Sequence, residues 1–205
     1  MITIKAVLFD FGGVLAEEGF RNGLAAIARQ EGLDPASFFQ KAESIIYSTG
    51  YVLGHCPESE FWQALRKETG IKMPDEELHG EILGRFVLRP EMFQIVNRLR
   101  EQGLWIGILS DQTNWLEELD RKYGFYRAFD RVFNSYRLHK SKKDPAWFRE
   151  ICSELGLVPQ EALFIDDNFG HITRAANVGL KTIYYQNQVQ FRMALGEYFK
   201  DGCEV

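Results

Sequence analysis

Apolar runs and helix-period faces alternate along the chain. Residues 4–9 are β-branched, aliphatic and aromatic, and read as a buried strand. Residues 104–109 and 162–165 have the same form, and shorter strands are expected over 131–135 and 181–185. Helical spacing predicts a helix over 17–32, where Leu24, Ile27 and Ala28 share a face and Gly32 closes the element. A second is expected over 34–46, with Asp34 as N-cap and Pro35 in the first turn. Residues 48–57 read as a loop, and helices follow over 58–69 and 74–86. Further helices are expected over 90–103, 113–123, 145–156, 172–178 and 189–199. Alternation of strands and helices predicts an α/β fold with a parallel sheet covered on both faces. Residues 17–86 carry helical signals and no strand signal, which suggests a small helical unit inserted after the first strand.

Polar groups stand where three of the apolar runs stop. Asp10 ends the first, Ser110-Asp111 the second and Asp166-Asp167 the third. In open α/β sheets, ligands bind outside the carboxyl ends of the strands. Gly12 and Gly13 follow Asp10 and permit a tight turn whose backbone N–H groups form an anion-sized nest. A basic cluster, Lys140-Ser141-Lys142-Lys143, precedes Asp144-Pro145 and a helical pattern. Taken singly, each has an ordinary explanation: a Gly-Gly turn, a helix cap or a surface lysine. Two adjacent carboxylates after a buried strand repel one another unless a cation lies between them.

In this order the four stretches resemble the haloacid dehalogenase-like (HAD) hydrolase superfamily. Its motifs are a nucleophilic Asp after the first strand, a Ser or Thr after the second, a Lys, and an acidic pair after the fourth. Asp10, Ser110, Lys142 and Asp166-Asp167 match them over nearly the whole chain. The stretch Lys142-Lys143-Asp144-Pro145 is similar to the family's K-P-D-P, with Lys143 at the first Pro. The resemblance implies a Rossmann-like parallel core, formed by 1–15 and 90–205, and a helical cap over 16–89. It also implies a Mg²⁺-dependent phosphatase of a small phosphorylated metabolite, such as a sugar phosphate, that forms an aspartyl-phosphate. Asp10, Ser110 and Lys142 would then be catalytic. Gly12, Gly13, Ser110, Asp111 and Lys142 would bind phosphate, and Asp10, the Gly12 carbonyl, Asp166 and Asp167 would hold Mg²⁺. One departure stands out. The family's phosphatases usually carry an acid–base Asp two residues after the nucleophile, where this chain has Gly12. Loss of that acid predicts a preference for good leaving groups, with His171 and Asp111 as candidate substitutes. A dehalogenase using Asp10 and Arg21, and a weak phosphate-binding protein, are the alternatives. Among the cap residues, Phe20, Tyr47, Tyr51 and His55 are candidates to face the site.

Composition narrows the class. A chain of 205 residues, 45% hydrophobic and 14% aromatic, can bury a full core. A net charge of −5 argues against a nucleic-acid surface. Cys56, Cys152 and Cys203 have no paired spacing and fit reduced thiols. No apolar run reaches membrane-span length, so a cytoplasmic protein without membrane partners is expected, as a monomer or homodimer.

Overall fold

The computed structural model describes residues 3–199. Strand β1 (Ala6–Phe9) is followed by helices α1 (Gly19–Gln30), α2 (Pro35–Ser48), α3 (Glu58–Thr69) and α4 (Asp75–Leu83). Helix α5 (Pro90–Glu101) leads to β2 (Trp105–Ser110), α6 (Trp115–Tyr123) and β3 (Arg131–Asn134). Next come α7 (Ser135–Leu138), α8 (Pro145–Glu154), β4 (Ala162–Asp166), α9 (Phe169–Asn177), β5 (Lys181–Tyr184) and α10 (Gln188–Tyr198). The five strands form one parallel sheet in the order β3-β2-β1-β4-β5. This is the α/β, Rossmann-like class expected from the alternation.

Strand β1 lies at the centre, and every one of its residues is buried. Phe9 is in register with Ile108 of β2 and Ile165 of β4. The chain therefore delivers Asp10, Ser110 and Asp166 to one edge of the sheet. Side chains alternate across the sheet. Val7, Phe9, Ile106, Ile108, Leu163 and Ile165 enter one apolar cluster, while Leu8 and Phe164 enter the other with Trp147 and Phe148 of α8. The first cluster runs on without a break into α1–α4, through Leu24, Ile27, Phe38 and Trp62.

Polar contacts also tie α1–α4 to the sheet side. Tyr51 donates to Asn114 Oδ1 at 2.6 Å, and Ser135 donates to the Val52 carbonyl at 2.8 Å. His79 of α4 lies between Glu58 of α3 and Glu118 of α6, at 2.9 and 3.1 Å. The two connections between α1–α4 and the rest of the chain pair with each other: Glu17 N–H donates to the Val87 carbonyl, and Arg89 N–H to the Leu15 carbonyl.

Three elements differ from the sequence expectation. Tyr51 lies in the predicted loop but is fully buried in a 3₁₀ turn between Gly50 and Gly54, both in the left-handed region. Ser135 starts α7 instead of ending β3, because the Asn134 side chain caps it by accepting from Tyr136 N–H. Helix α9 starts at Phe169, three residues before the first apolar-periodic position, because Asn168 Oδ1 accepts from Gly170 and His171 N–H. Cys56 and Cys152 are free thiols, and Cys203 lies outside the described residues. Among the described residues, no helix is long and apolar enough to cross a membrane.

Candidate active site

A cavity of about 330 Å³ opens at the carboxyl edge of the sheet, between the strand ends and helices α1 and α2. Asp10, Gly12, Ser110, Lys142 and Asp167 line its floor. Glu18, Phe20, Arg21, Phe39, Glu43 and Tyr47 line its walls. Of the residues left open by sequence, Phe20 and Tyr47 face the cavity. Tyr51 packs below it against Phe61 and Trp115, and His55 stacks on His139.

Lys142 is the electrostatic centre. Its ammonium group is buried, 2.8 Å from Asp10 Oδ2 and 2.7 Å from Asp166 Oδ2. Burial works against its charge, but Asp10, Asp166 and Asp111 outweigh that and hold its pKa above the usual lysine value. Asp111 lines the cavity, and both of its oxygens accept from protein groups. Its Oδ1 accepts from Lys142 N–H at 2.9 Å, and its Oδ2 accepts from Ser141 and Tyr47 at 2.5 and 3.1 Å. Thus Asp111 fixes the loop carrying Lys142 and ties it to α2.

Asp166 is also bound by protein donors, and with Asp10 and His171 it forms a buried group whose ligand atoms lie within 4.8 Å of one another. Oδ1 accepts from Asn168 N–H at 2.7 Å, and Oδ2 faces Lys142 and His171 Nδ1. Burial alone would raise its pKa, but Lys142 and His171 hold it down, at about 2. His171 is buried against Asp166 and serves that carboxylate.

Asp167 is in the opposite situation. Among the described residues it has no hydrogen bond and no ion pair. Burial, with Asp10, Asp166 and Glu18 nearby, pushes its pKa up to about 7. Asp10 is raised to about 6, by burial and by Asp166, against the pull of Lys142. The carboxylates on the floor thus exceed the cations the chain itself supplies. This hard-oxygen donor set suits a divalent cation such as Mg²⁺.

Residues 4–179 match the model of the haloacid dehalogenase-like hydrolases. The chain belongs to that family. The hydrolase is 28% identical to phosphoserine phosphatase of Thermus thermophilus, over 88% of this chain and 80% of the relative. It is 24% identical to drimenol cyclase drtB of Aspergillus calidoustus, over 75% of this chain, but spans only 30% of that protein's length. Its fold matches a HAD family enzyme of Bacteroides thetaiotaomicron, solved with magnesium and inorganic phosphate. The TM-score there is 0.70 at 22% identity, covering 89% of this chain and 94% of the other.

The two turn glycines of the hydrolase are not equivalent. Gly13 has φ of 78°, and a Cβ there would collide with the Asp167 carboxylate. A Cβ on Gly12 would meet only Phe86 and Glu18 atoms at 3.5 and 3.7 Å, ordinary contact distances. Gly13→Ala is therefore expected to displace Asp167 and lose most activity, whereas Gly12→Ala keeps the fold. Thermal melts and turnover of the two variants, side by side, check this; equal behaviour would mean the turn yields freely.

Sequence reading did not single out Glu18, Phe39, Glu43, Lys143 or Arg174 as lining this cavity. Lys143 sits over the Tyr47 ring at 3.2 Å, and the Arg21 guanidinium over Phe39 at 4.0 Å. Helix phase and the turn after Asp10 place Glu18, Phe39 and Glu43, while Lys143 comes from the turn before α8 and Arg174 from α9, and no local motif encodes that convergence.

Proposed function

We propose that the chain is a Mg²⁺-dependent phosphatase of a small phosphorylated metabolite, with Asp10 as the nucleophile. The observation that carries the reading is the pairing of two facts on the cavity floor. Asp10 lies 2.8 Å from the buried Lys142, and Asp167 beside it has no hydrogen bond and no ion pair among the described residues. Asp10, the Gly12 carbonyl, Asp166 and Asp167 would hold Mg²⁺, which when bound offsets the negative charge of the phosphate.

The chain's own groups account for the rest. Asp10 attacks phosphorus and forms an aspartyl-phosphate. Lys142 holds Asp10 and would offer its charge to the phosphoryl oxygens, and Ser110, which lines the cavity at the end of β2, would donate to them. Residues 16–89 act as the cap that excludes water, over a core of 1–15 and 90–205, of which 1–2 and 200–205 lie outside the described residues. A cavity of about 330 Å³ suits a small substrate. The relative named as a phosphoserine phosphatase supports the same class. The dehalogenase alternative gives Arg21 a role in the cavity, but leaves the uncompensated Asp167 without one. The test is release of inorganic phosphate from sugar, aryl and amino-acid phosphates, with Mg²⁺ or with EDTA. Chloride release from 2-chloropropionate without phosphate release would overturn the reading.

The same charges predict a pH-dependent role for the metal. Asp10 and Asp167 have folded-state pKa values of about 6 and about 7, above the usual carboxylate value. Both bind their protons more tightly when folded. Their contribution to stability is therefore full at low pH, and is lost as pH rises through those values. The low pKa of Asp166 acts only below about pH 4. In EDTA the melting temperature should fall as pH rises from roughly 4, the unfolded carboxylate value, to roughly 7, and change little beyond. Mg²⁺ should restore it at the upper pH and do little at the lower, where Asp10 and Asp167 are protonated. A melting temperature indifferent to Mg²⁺ at the upper pH would remove the metal from this reading.

A further inference from the structure

A phosphate ester cannot lose a poor alcohol as an alkoxide at useful rates; the departing oxygen needs a proton. Position 12 has no side chain to supply it. Of the two substitutes suggested by the sequence, Asp111 has both oxygens taken by Ser141, Tyr47 and Lys142 N–H. His171 is tied through Nδ1 to Asp166, and its Nε2 has no hydrogen bond among the described residues. Asp10 faces Lys142, and Asp167 faces the carboxylate cluster that calls for a cation.

Glu18 is different. It precedes α1 as its N-cap, and Oε2 accepts from Arg21 N–H at 2.6 Å. That bond fixes the carboxyl group and leaves Oε1 with no hydrogen bond among the described residues. Oε1 lies in the cavity wall, 3.7 Å from where a Cβ on residue 12 would stand. A carboxyl from the start of α1 thus reaches the space above Gly12 that the missing side chain leaves open. Burial and the nearby Asp10 charge raise its pKa, which favours the protonated form that an acid needs.

We propose that Glu18 is the general acid and base of this active site. The assignment rests on the phosphatase reading above. In the first step Asp10 forms a bond to phosphorus, the bond from phosphorus to the ester oxygen breaks, and Glu18 gives its proton to that oxygen. The products are the free alcohol, the aspartyl-phosphate and a Glu18 carboxylate. In the second step that carboxylate takes a proton from a water molecule as it attacks phosphorus. The acyl-phosphate bond breaks, and inorganic phosphate, the Asp10 carboxylate and protonated Glu18 are released. A Gly at position 12 then does not condemn the enzyme to good leaving groups.

The test is the dependence of kcat/KM on leaving-group pKa, in wild type and Glu18→Gln. The Gln carbonyl oxygen can still accept from Arg21 N–H, so α1 keeps its cap. Wild type should show a shallow dependence. Glu18→Gln should show a steep one, with a loss on alkyl phosphates of roughly 10²–10⁴-fold and a far smaller loss on nitrophenyl phosphate. Its aspartyl-phosphate should also live longer in acid-quench labelling with nitrophenyl phosphate. A steep wild-type dependence, or an equal loss on every substrate in the variant, would overturn the Glu18 assignment and leave the phosphatase reading standing. If wild type releases no phosphate from any ester, both fall.

Discussion

Asp10→Asn should abolish turnover, by roughly 10⁴-fold or more, in a protein that remains folded. An amide cannot displace the ester oxygen, and no neighbouring carboxylate can take its place. Asp166 is occupied by Lys142, His171 and Asn168 N–H, and Asp167 lies on the side of Gly13. The fold should survive because the substitution removes a buried charge without removing volume. At pH 8 ionised Asp10 is held against a folded-state pKa of about 6, so its charge is a cost that the amide does not bear. Lys142 keeps Asp166 as its partner at 2.7 Å. The metal-free variant should therefore melt no lower than wild type at that pH. Acid-quench labelling should show phosphate on the wild type and none on the variant. Turnover by pure Asp10→Asn would remove Asp10 as the nucleophile, whatever its stability.

The parts of this site that were legible in the sequence are those set by strand ends. An apolar run that stops at a polar residue records both the burial of a strand and the point where it emerges. Asp10, Ser110 and Asp166 all have that form, and parallel registration brings them to one edge. Lys142 was readable by spacing, but its burial was not. Lys140, Lys142 and Lys143 look alike in sequence, yet only Lys142 lies between two carboxylates.

Residues whose position depends on chain direction after a turn left no such trace. Glu18 reads as a charged residue at the start of a helix. Its reach to Gly12 follows from the turn over 11–16, where Ala16 N–H bonds back to the Phe11 carbonyl and Gly12 bridges Ala16. Asn168 was hidden because helical periodicity begins only at Ile172, while the capping bonds start the helix earlier. Asp111 was visible as a polar residue at a strand end, but its partners Tyr47 and Ser141 come from distant segments. Spacing shows that a carboxylate is present; what occupies its oxygens is tertiary information.

Lys142→Met tests whether the floor of the cavity is held by one buried cation. Met has nearly the length of Lys and fills the space with no charge. The variant would leave Asp10 and Asp166 facing each other in a buried site, with Asp167 already uncompensated. Breaking a buried ion pair by removing one partner costs about 3–5 kcal/mol, because the remaining charge loses its compensation. For a domain of this size that corresponds to a melting temperature lower by about 6–20 °C. The loss should be full at pH 8 and shrink on acidification, since a carboxylate without its cation has a raised pKa and becomes neutral as pH falls. Lys142→Met combined with Asp166→Asn should recover much of the loss, because the second change removes the charge that the first exposed. That non-additivity in a double-mutant cycle is the signature of a direct pair. Additive losses, or a Lys142→Met defect independent of pH, would mean that the lysine acts through packing, and that the charge on Asp10 is balanced elsewhere.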